Sequence, residues 1–432
     1  MTKYLLQIWN SRDLRQKILF TVFAIVVFRF LGQISIPGAN LDAIKGIFTK
    51  NQLLGAFSAL TGGSAENFSI ILMGLSPYIN ASIIIQLLTV IIPSWEGLSK
   101  EGEMGQRKIS KYTRWLAVPL ALLQSYGTII LLNTQSQVAI VENIKDPKVI
   151  IPIMLTITTG TILLMWLGEL ISEKGIGNGI SILIFAGIVN SIPQSLGANL
   201  LVAGQDNGKL ISFVLMLLMT VILSVVVILI TEGQRRIPIT YAGRGVKAEN
   251  SDEAALPIRV NQAGMVPIIF AFDIISFPTI ISQFLQGAKT EWVRNAAQWF
   301  IAHFTTSSIA YMVIYFLLNI LFTYFYVSIT FNPKEVAENI QKRGGYVPGI
   351  RPGTQTAEYL GKVSNHLNLF GGIFIGLIGV IPMIYQRFFP GSIGSLQSVL
   401  SGAGMIIVVG VVLDLIRQVN AQLIMHDYKK FY

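Results

Sequence analysis

Residues 209–231 read KLISFVLMLLMTVILSVVVILIT, and after Lys209 no charged residue follows until Glu232. At 1.5 Å rise per residue, roughly twenty apolar residues in a helix cross a hydrocarbon core of about 30 Å. Lipid cannot satisfy a backbone amide, so such a run must bond to itself, and its unbroken apolar character excludes the alternating pattern of a barrel strand. Working outward, comparable runs occur at 17–36, 70–92, 114–133, 150–171, 180–200, 262–285, 307–331, 366–386 and 396–416, ten in all with 209–231. The whole chain carries only 12% charged residues against 52% hydrophobic ones, whereas soluble domains carry about a quarter charged. The fold class expected is an all-α integral membrane protein of ten transmembrane helices.

The loops between the runs set the orientation. Of 32 lysines and arginines, 23 fall on one side with the N-terminus, eight on the other, and Arg29 lies inside the first run. The positive-inside rule then makes both termini cytoplasmic. The net charge of +10 follows from basic cytoplasmic loops and requires no nucleic acid. Lys3, Arg12, Arg15 and Lys17 precede a first run too long for a signal peptide, so it is expected to stay as an anchor. Ten spans divide into 1–200 and 201–432, and five being odd, the second half enters the membrane from the opposite side. That is the arithmetic of an inverted repeat, with a pathway expected between pseudo-symmetric halves.

Three segments interrupt the short loops. Residues 53–69 (LLGAFSALTGGSAENFS) are too short to span, and hydropathy leaves open a re-entrant or plugging element and an interfacial helix. Segments 232–261 and 332–365 are long cytoplasmic loops rich in Arg, Lys, Gly and Pro. Solvated loops are the plain reading, though loops of this length are more often functional than idle.

The chain has no cysteine, which excludes disulfides, thiolate zinc sites and iron–sulfur clusters; His303, His366 and His426 stand far apart. No metal or cofactor is expected. Inside the spans the ionisable residues are Arg29, Asp273 and Asp414, with Glu169 near a cytoplasmic end. That is thin for a coupled transporter of small solutes, the competing reading, which needs ion ligands near the midplane. A membrane-embedded enzyme would need a Ser/Lys, paired Asp or His-rich site, and none is visible. Asn80, Ser82, Gln86 and Thr89 in the second span, with Asn261 and Gln262 at the seventh, are interhelical glue by default, and Gly372 and Gly376 fit close helix packing. GIGNG (175–179) lacks a preceding strand and a GKS or GKT; it reads as a turn capped by Asn178.

Six strings carry a resemblance: ISIPG (34–38), GLSPYINASIIIQLLTV (74–90), KEGEMGQRKISKYTR (100–114), MWLGELISEKGIGNGISILIFAGIV (165–189), GQRRIPITYAGR (233–244) and YVPGIRPGTQTAEYL (346–360). In this order, over nearly the whole chain, they resemble the SecY family, the central subunit of the bacterial protein-conducting channel. The resemblance implies a clamshell of two five-helix halves with an hourglass pore, a lateral gate facing membrane lipid, and a short plug helix. It implies a multi-pass protein of the bacterial cytoplasmic membrane that passes unfolded secretory polypeptides outward and releases apolar segments, such as signal sequences, sideways. It is not an enzyme on this reading; the implied partners are small membrane subunits of the SecE and SecG type, the motor ATPase SecA and the ribosome.

Residue by residue, the implied pore ring is Leu75, Ile79, Ile180, Ile184, Ile269 and Ile407, with Ile83 a further candidate. Leu75, Ile79 and Ile83 are four apart on one helix face, as are Ile180 and Ile184. The plug falls on 53–69 and includes Leu54, Phe57, Leu60, Gly62 and Gly63. Asn80, Gln86 and Asn261 fall on the gate-lining helices, with hydrogen bonding expected to help hold the gate shut. Arg235, Arg236, Arg244 and Arg351 form the docking set for SecA or the ribosome, because the guanidinium fork binds phosphate and carboxylate bidentately. One departure stands out. Phe272 and Asp273 occupy positions where the family has small hydroxylic residues; Asp273, four past Ile269, is expected to face water in the outer funnel, either tuning cargo or pairing with a neighbour's base.

Overall fold

The computed structural model describes residues 11–37, 39–41, 44, 63–135, 140–141, 146–203, 207–241, 255–285, 290–304, 308–388 and 402–430. The first half contains α1 (Arg12–Leu31), α2 (Ser76–Ile91), α3 (Pro93–Lys100), α4 (Glu103–Gln135), α5 (Pro147–Lys174) and α6 (Gly179–Ala203). The second half opens with α7 (Asn207–Glu232), β1 (Gln234–Pro238), β2 (Thr240–Tyr241), β3 (Ala255–Arg259) and α8 (Val266–Leu285). It continues with α9 (Glu291–His303), α10 (Ile309–Thr330), α11 (Pro333–Lys342), β4 (Gly345–Tyr346), α12 (Thr354–Phe388) and α13 (Gly402–Lys430). Each apolar run of the sequence overlaps one of these helices, and six helices among the described residues are long and apolar enough to cross a membrane.

The second run departs from its expected start. Helix α2 begins at Ser76 rather than near residue 70, because Gly74 takes φ +56° and Phe68 φ 45° in a series of turns over 63–75. Pro77 then sits in the first turn, where its missing N–H costs nothing. The expected cap in the fourth-to-fifth connection is present: Asn178 Oδ1 accepts from the backbone N–H groups of Ile180 (3.1 Å) and Ser181 (3.3 Å).

Helix α7 shows how lipid and protein divide one helix. Ile211, Leu218, Val221 and Leu229 are exposed, while Met216, Leu223 and Val227 are buried. Since lipid tails are as apolar as leucine, helix association rests on close packing rather than on water exclusion. The α10–α12 pair illustrates it: a Cβ at Gly376 would stand 2.6 Å from the Phe316 ring, and one at Gly372 3.3 Å from Ile320 Cα.

The two long loops are not simply solvated. β1 pairs antiparallel with β3, placing Arg235 opposite Ile258, and β2 of the first loop pairs with β4 of the second. Ile237, Ile239, Ile258, Ala337, Ile340, Val347 and Leu360 make a small apolar core beneath these strands. Asn332 starts α11 by accepting from the N–H groups of Lys334 and Glu335. Both loops therefore form one folded platform; its strands are too short and its core too small to register in a reading at the scale of membrane spans.

Candidate pore lining

The halves meet at a seam whose apolar clusters draw on both. Leu75, Ile184, Ile407 and Val411 are buried in one cluster, against which Ile79, Ile180 and Ile269 pack. Ile83 belongs to the neighbouring cluster, whose other buried residues come from the second half and include Ile268, Ala271 and Ile275 of α8. Within the seam a cavity of about 50 Å³ is lined by Leu75, Ile79, Ile184, Ile269 and Ile407, five of the seven ring candidates. Leu75 and Ile79 come from the start of α2, Ile184 from α6, Ile269 from α8 and Ile407 from α13.

Two ring candidates lie outside that lining. Ile180 is turned toward α5, its Cγ1 3.2 Å from where a Cβ on Gly168 would stand, so the absence of a side chain at 168 receives it. Ile83 sits one turn beyond Ile79 on α2, in the cluster that also holds Ile268 and Ala271 of α8. The cavity also takes in residues the sequence did not single out for it, Phe28 from α1 and Leu164 from α5. Nothing distinguishes these two from other mid-helix apolar residues before the helices are packed.

The gate-region amides bond locally. Asn261 is buried, accepts from Gly264 N–H at 2.9 Å and donates to the Gly264 carbonyl at 3.3 Å, so its amide shapes the turn entering α8. Gln86 donates to Ser82 Oγ on its own helix at 3.2 Å. A contact between elements comes instead from Gln262, whose Oε1 accepts from Ser364 Oγ of α12 at 3.0 Å. Asn80, also on α2, is partly buried. Asp273 differs from expectation: it lines the cavity, and its Oδ2 is buried without a hydrogen-bond partner rather than facing open water.

On the platform, Arg235 and Arg236 project from exposed positions of β1, and Arg351 is exposed in the turn after β4. The Arg351 carbonyl accepts from Thr356 Oγ1 at 2.9 Å, which pins the turn to the start of α12. Leu54, Phe57, Leu60, Gly62 and Arg244 lie outside the described residues; Gly63 has φ +80°, a conformation suited to glycine.

Apolar helices of membrane-crossing length packed around an aliphatic cavity suit a membrane channel. The protein-family model described as SecY matches residues 69–416. The protein translocase subunit SecY of Corynebacterium glutamicum is 41% identical over 444 residues, covering 98% of each chain. That of Mycobacterium tuberculosis is 38% identical over 434 residues, covering 97% of each. Among solved structures, "The structure of a protein conducting channel" superposes with a TM-score of 0.65 at 18% identity, covering 94% of this chain and 92% of that one. "Sec61 in the Canine ribosome-channel complex from the endoplasmic reticulum" gives a TM-score of 0.62 at 17% identity over the same shares. The chain belongs to the SecY family, and its function is that of a protein-conducting channel.

Proposed function

We propose that this chain is a ten-span clamshell of the bacterial cytoplasmic membrane, with both termini cytoplasmic, whose resting pore is closed by Leu75, Ile79, Ile184, Ile269 and Ile407. The convergence of these side chains from α2, α6, α8 and α13 on one cavity carries the reading. Aliphatic walls hold water weakly, so such a waist shuts by steric closure and dewetting, yet it accommodates side chains of any chemistry during passage. The 53–69 segment serves as plug. The boundary between α2 and α8, whose residues Ile83, Ile268 and Ala271 share one apolar cluster, serves as the lateral gate through which apolar segments reach lipid.

The platform's exposed Arg235, Arg236 and Arg351, with Arg244, dock a motor ATPase of the SecA type or the ribosome, and small subunits of the SecE and SecG type complete the complex. Support for ribosome docking comes from the fold shared with the canine ribosome-bound Sec61. Arg235, Arg236 and Arg351 also stand on a folded base rather than on a free loop.

The ring is tested by Ile184→Asn and Ile407→Asn in proteoliposomes. An amide in the constriction lowers the cost of wetting it, so small-ion conductance should rise and precursors with defective signals should pass more readily. Deleting 57–66 should act in the same direction. Correctly inserted variants as ion-tight and as strict about signals as wild type would remove these residues from the gate. Insertion must be verified, since an unpaired buried amide costs roughly 1–3 kcal/mol.

A further inference from the structure

The ionisable groups within or beside the spans are held differently. Asp414 meets Arg417 at 3.3 Å, and Arg417 also reaches Glu232 of α7 at 2.6 Å. Glu169 meets Arg114 at 3.1 Å across α4 and α5. Asp273 has no such ion pair among the described residues, and its Oδ2 is buried without a hydrogen-bond partner. It stands one helical turn from Ile269 on the same face of α8, and both line the cavity on the seam. Every other residue lining that cavity is uncharged.

A carboxylate in an apolar enclosure is costly unless something of opposite charge or a proton joins it. Ionisable residues kept at membrane depth and turned toward an interior path mark what travels along that path. The traveller here is a polypeptide, and its most difficult side chains at an aliphatic waist are charged ones, which must shed water to pass.

We propose that Asp273 is a cation-accepting site within the pore, taking the lysine ammonium and arginine guanidinium groups of the translocating chain as they cross the constriction. It thereby acts as a specificity residue: it eases basic segments and opposes acidic ones. This rests on the reading of the aliphatic ring as the path of translocation. The position of the acid suits the task, because a lysine leaving Ile269 meets the carboxylate one turn later along α8. The neighbouring Phe272, three past Ile269, also lines the cavity, and an aromatic side chain there attracts the same cations.

The test uses the reconstituted complex and matched secretory precursors that differ only in one mature segment, a run of lysines, of glutamines or of glutamates. Asp273→Asn keeps the shape of the side chain and removes its charge. It should slow the lysine precursor roughly fivefold to tenfold relative to the glutamine one, a modest part of what close charge pairs contribute at interfaces. The glutamate precursor should speed up, and Asp273→Glu should restore the wild-type order. Unchanged ratios among the three precursors in a correctly inserted Asp273→Asn channel would overturn the proposal.

A second readout does not depend on rate. A stalled lysine precursor treated with a water-soluble carbodiimide should couple to Asp273 through an amide bond, found by mass spectrometry, and the glutamine precursor should not. Coupling of Asp273 to the chain's own Lys45 or Lys50, equally in resting and loaded channels, would also overturn it. A failure of the ring is separable, because Ile184→Asn would then leave conductance unchanged whatever the charge ratios do.

Discussion

The pore seam and the strand platform solve opposite problems with similar side chains. At the seam, isoleucine and leucine from four helices line one cavity, and on the proposed reading their function is to offer water nothing. On the platform, Ile237, Ile258 and Leu360 are buried, and their function is to hold Arg235, Arg236 and Arg351 outward at fixed spacing. On that reading apolar character is the working surface in the first region and the scaffold in the second. A substitution should therefore act through wetting at the seam and through positioning or charge on the platform.

The comparison breaks most completely if the two regions are not on the expected sides of the membrane. Single cysteines introduced into this cysteine-free chain at Lys108, Arg244 and Arg351 should label only from the cytoplasmic side, and those at Lys50 and Lys289 only from outside. The effect is all-or-none, read with a membrane-impermeant maleimide. Reversed labelling would move the platform away from any cytoplasmic partner.

Next in size is Arg351→Glu. An exposed arginine contributes little to stability, whereas a like charge set against a partner's surface costs several kcal/mol. Partner-driven translocation should fall by roughly 10- to 100-fold with insertion unchanged. Normal translocation by a well-expressed variant would take Arg351 out of the docking surface.

The smallest effect sharpens the scaffold side of the contrast. Leu360 is fully buried in the platform core, so Leu360→Ala should destabilise that module by roughly 2–5 kcal/mol. Hydrogen exchange should accelerate in β1, β3, β4 and the first turns of α12, where Leu360 lies, while α10 and the part of α12 beyond Gly371 keep their protection and ion conductance stays at its wild-type level. A rise in conductance would mean that seam and platform are coupled and that the division drawn between them is wrong.

Much was legible before any folding of the chain. Membrane helices announce themselves because lipid demands continuous apolar runs, and the ten runs landed on helices even where, as at α2, a proline and turns moved the boundary by several residues. Leu75, Ile79, Ile184, Ile269 and Ile407 follow from the family resemblance and share one cavity. Ile180 was named on the same grounds, yet a glycine on α5 draws it aside. Asn261 was read as a bond across the gate, but its nearest partner is the backbone three residues on.

Composition and hydropathy thus determined the solvent, the helical class and the charge asymmetry of this protein, since each is a sum over local residue types. Which isoleucines meet, that two distant loops share four strands and one core, and that Asp273 points into the seam were decided only by tertiary structure. Those facts depend on how helices rotate and approach one another. At this level a single absent Cβ, as at Gly168 or Gly376, outweighs the pattern of a whole span.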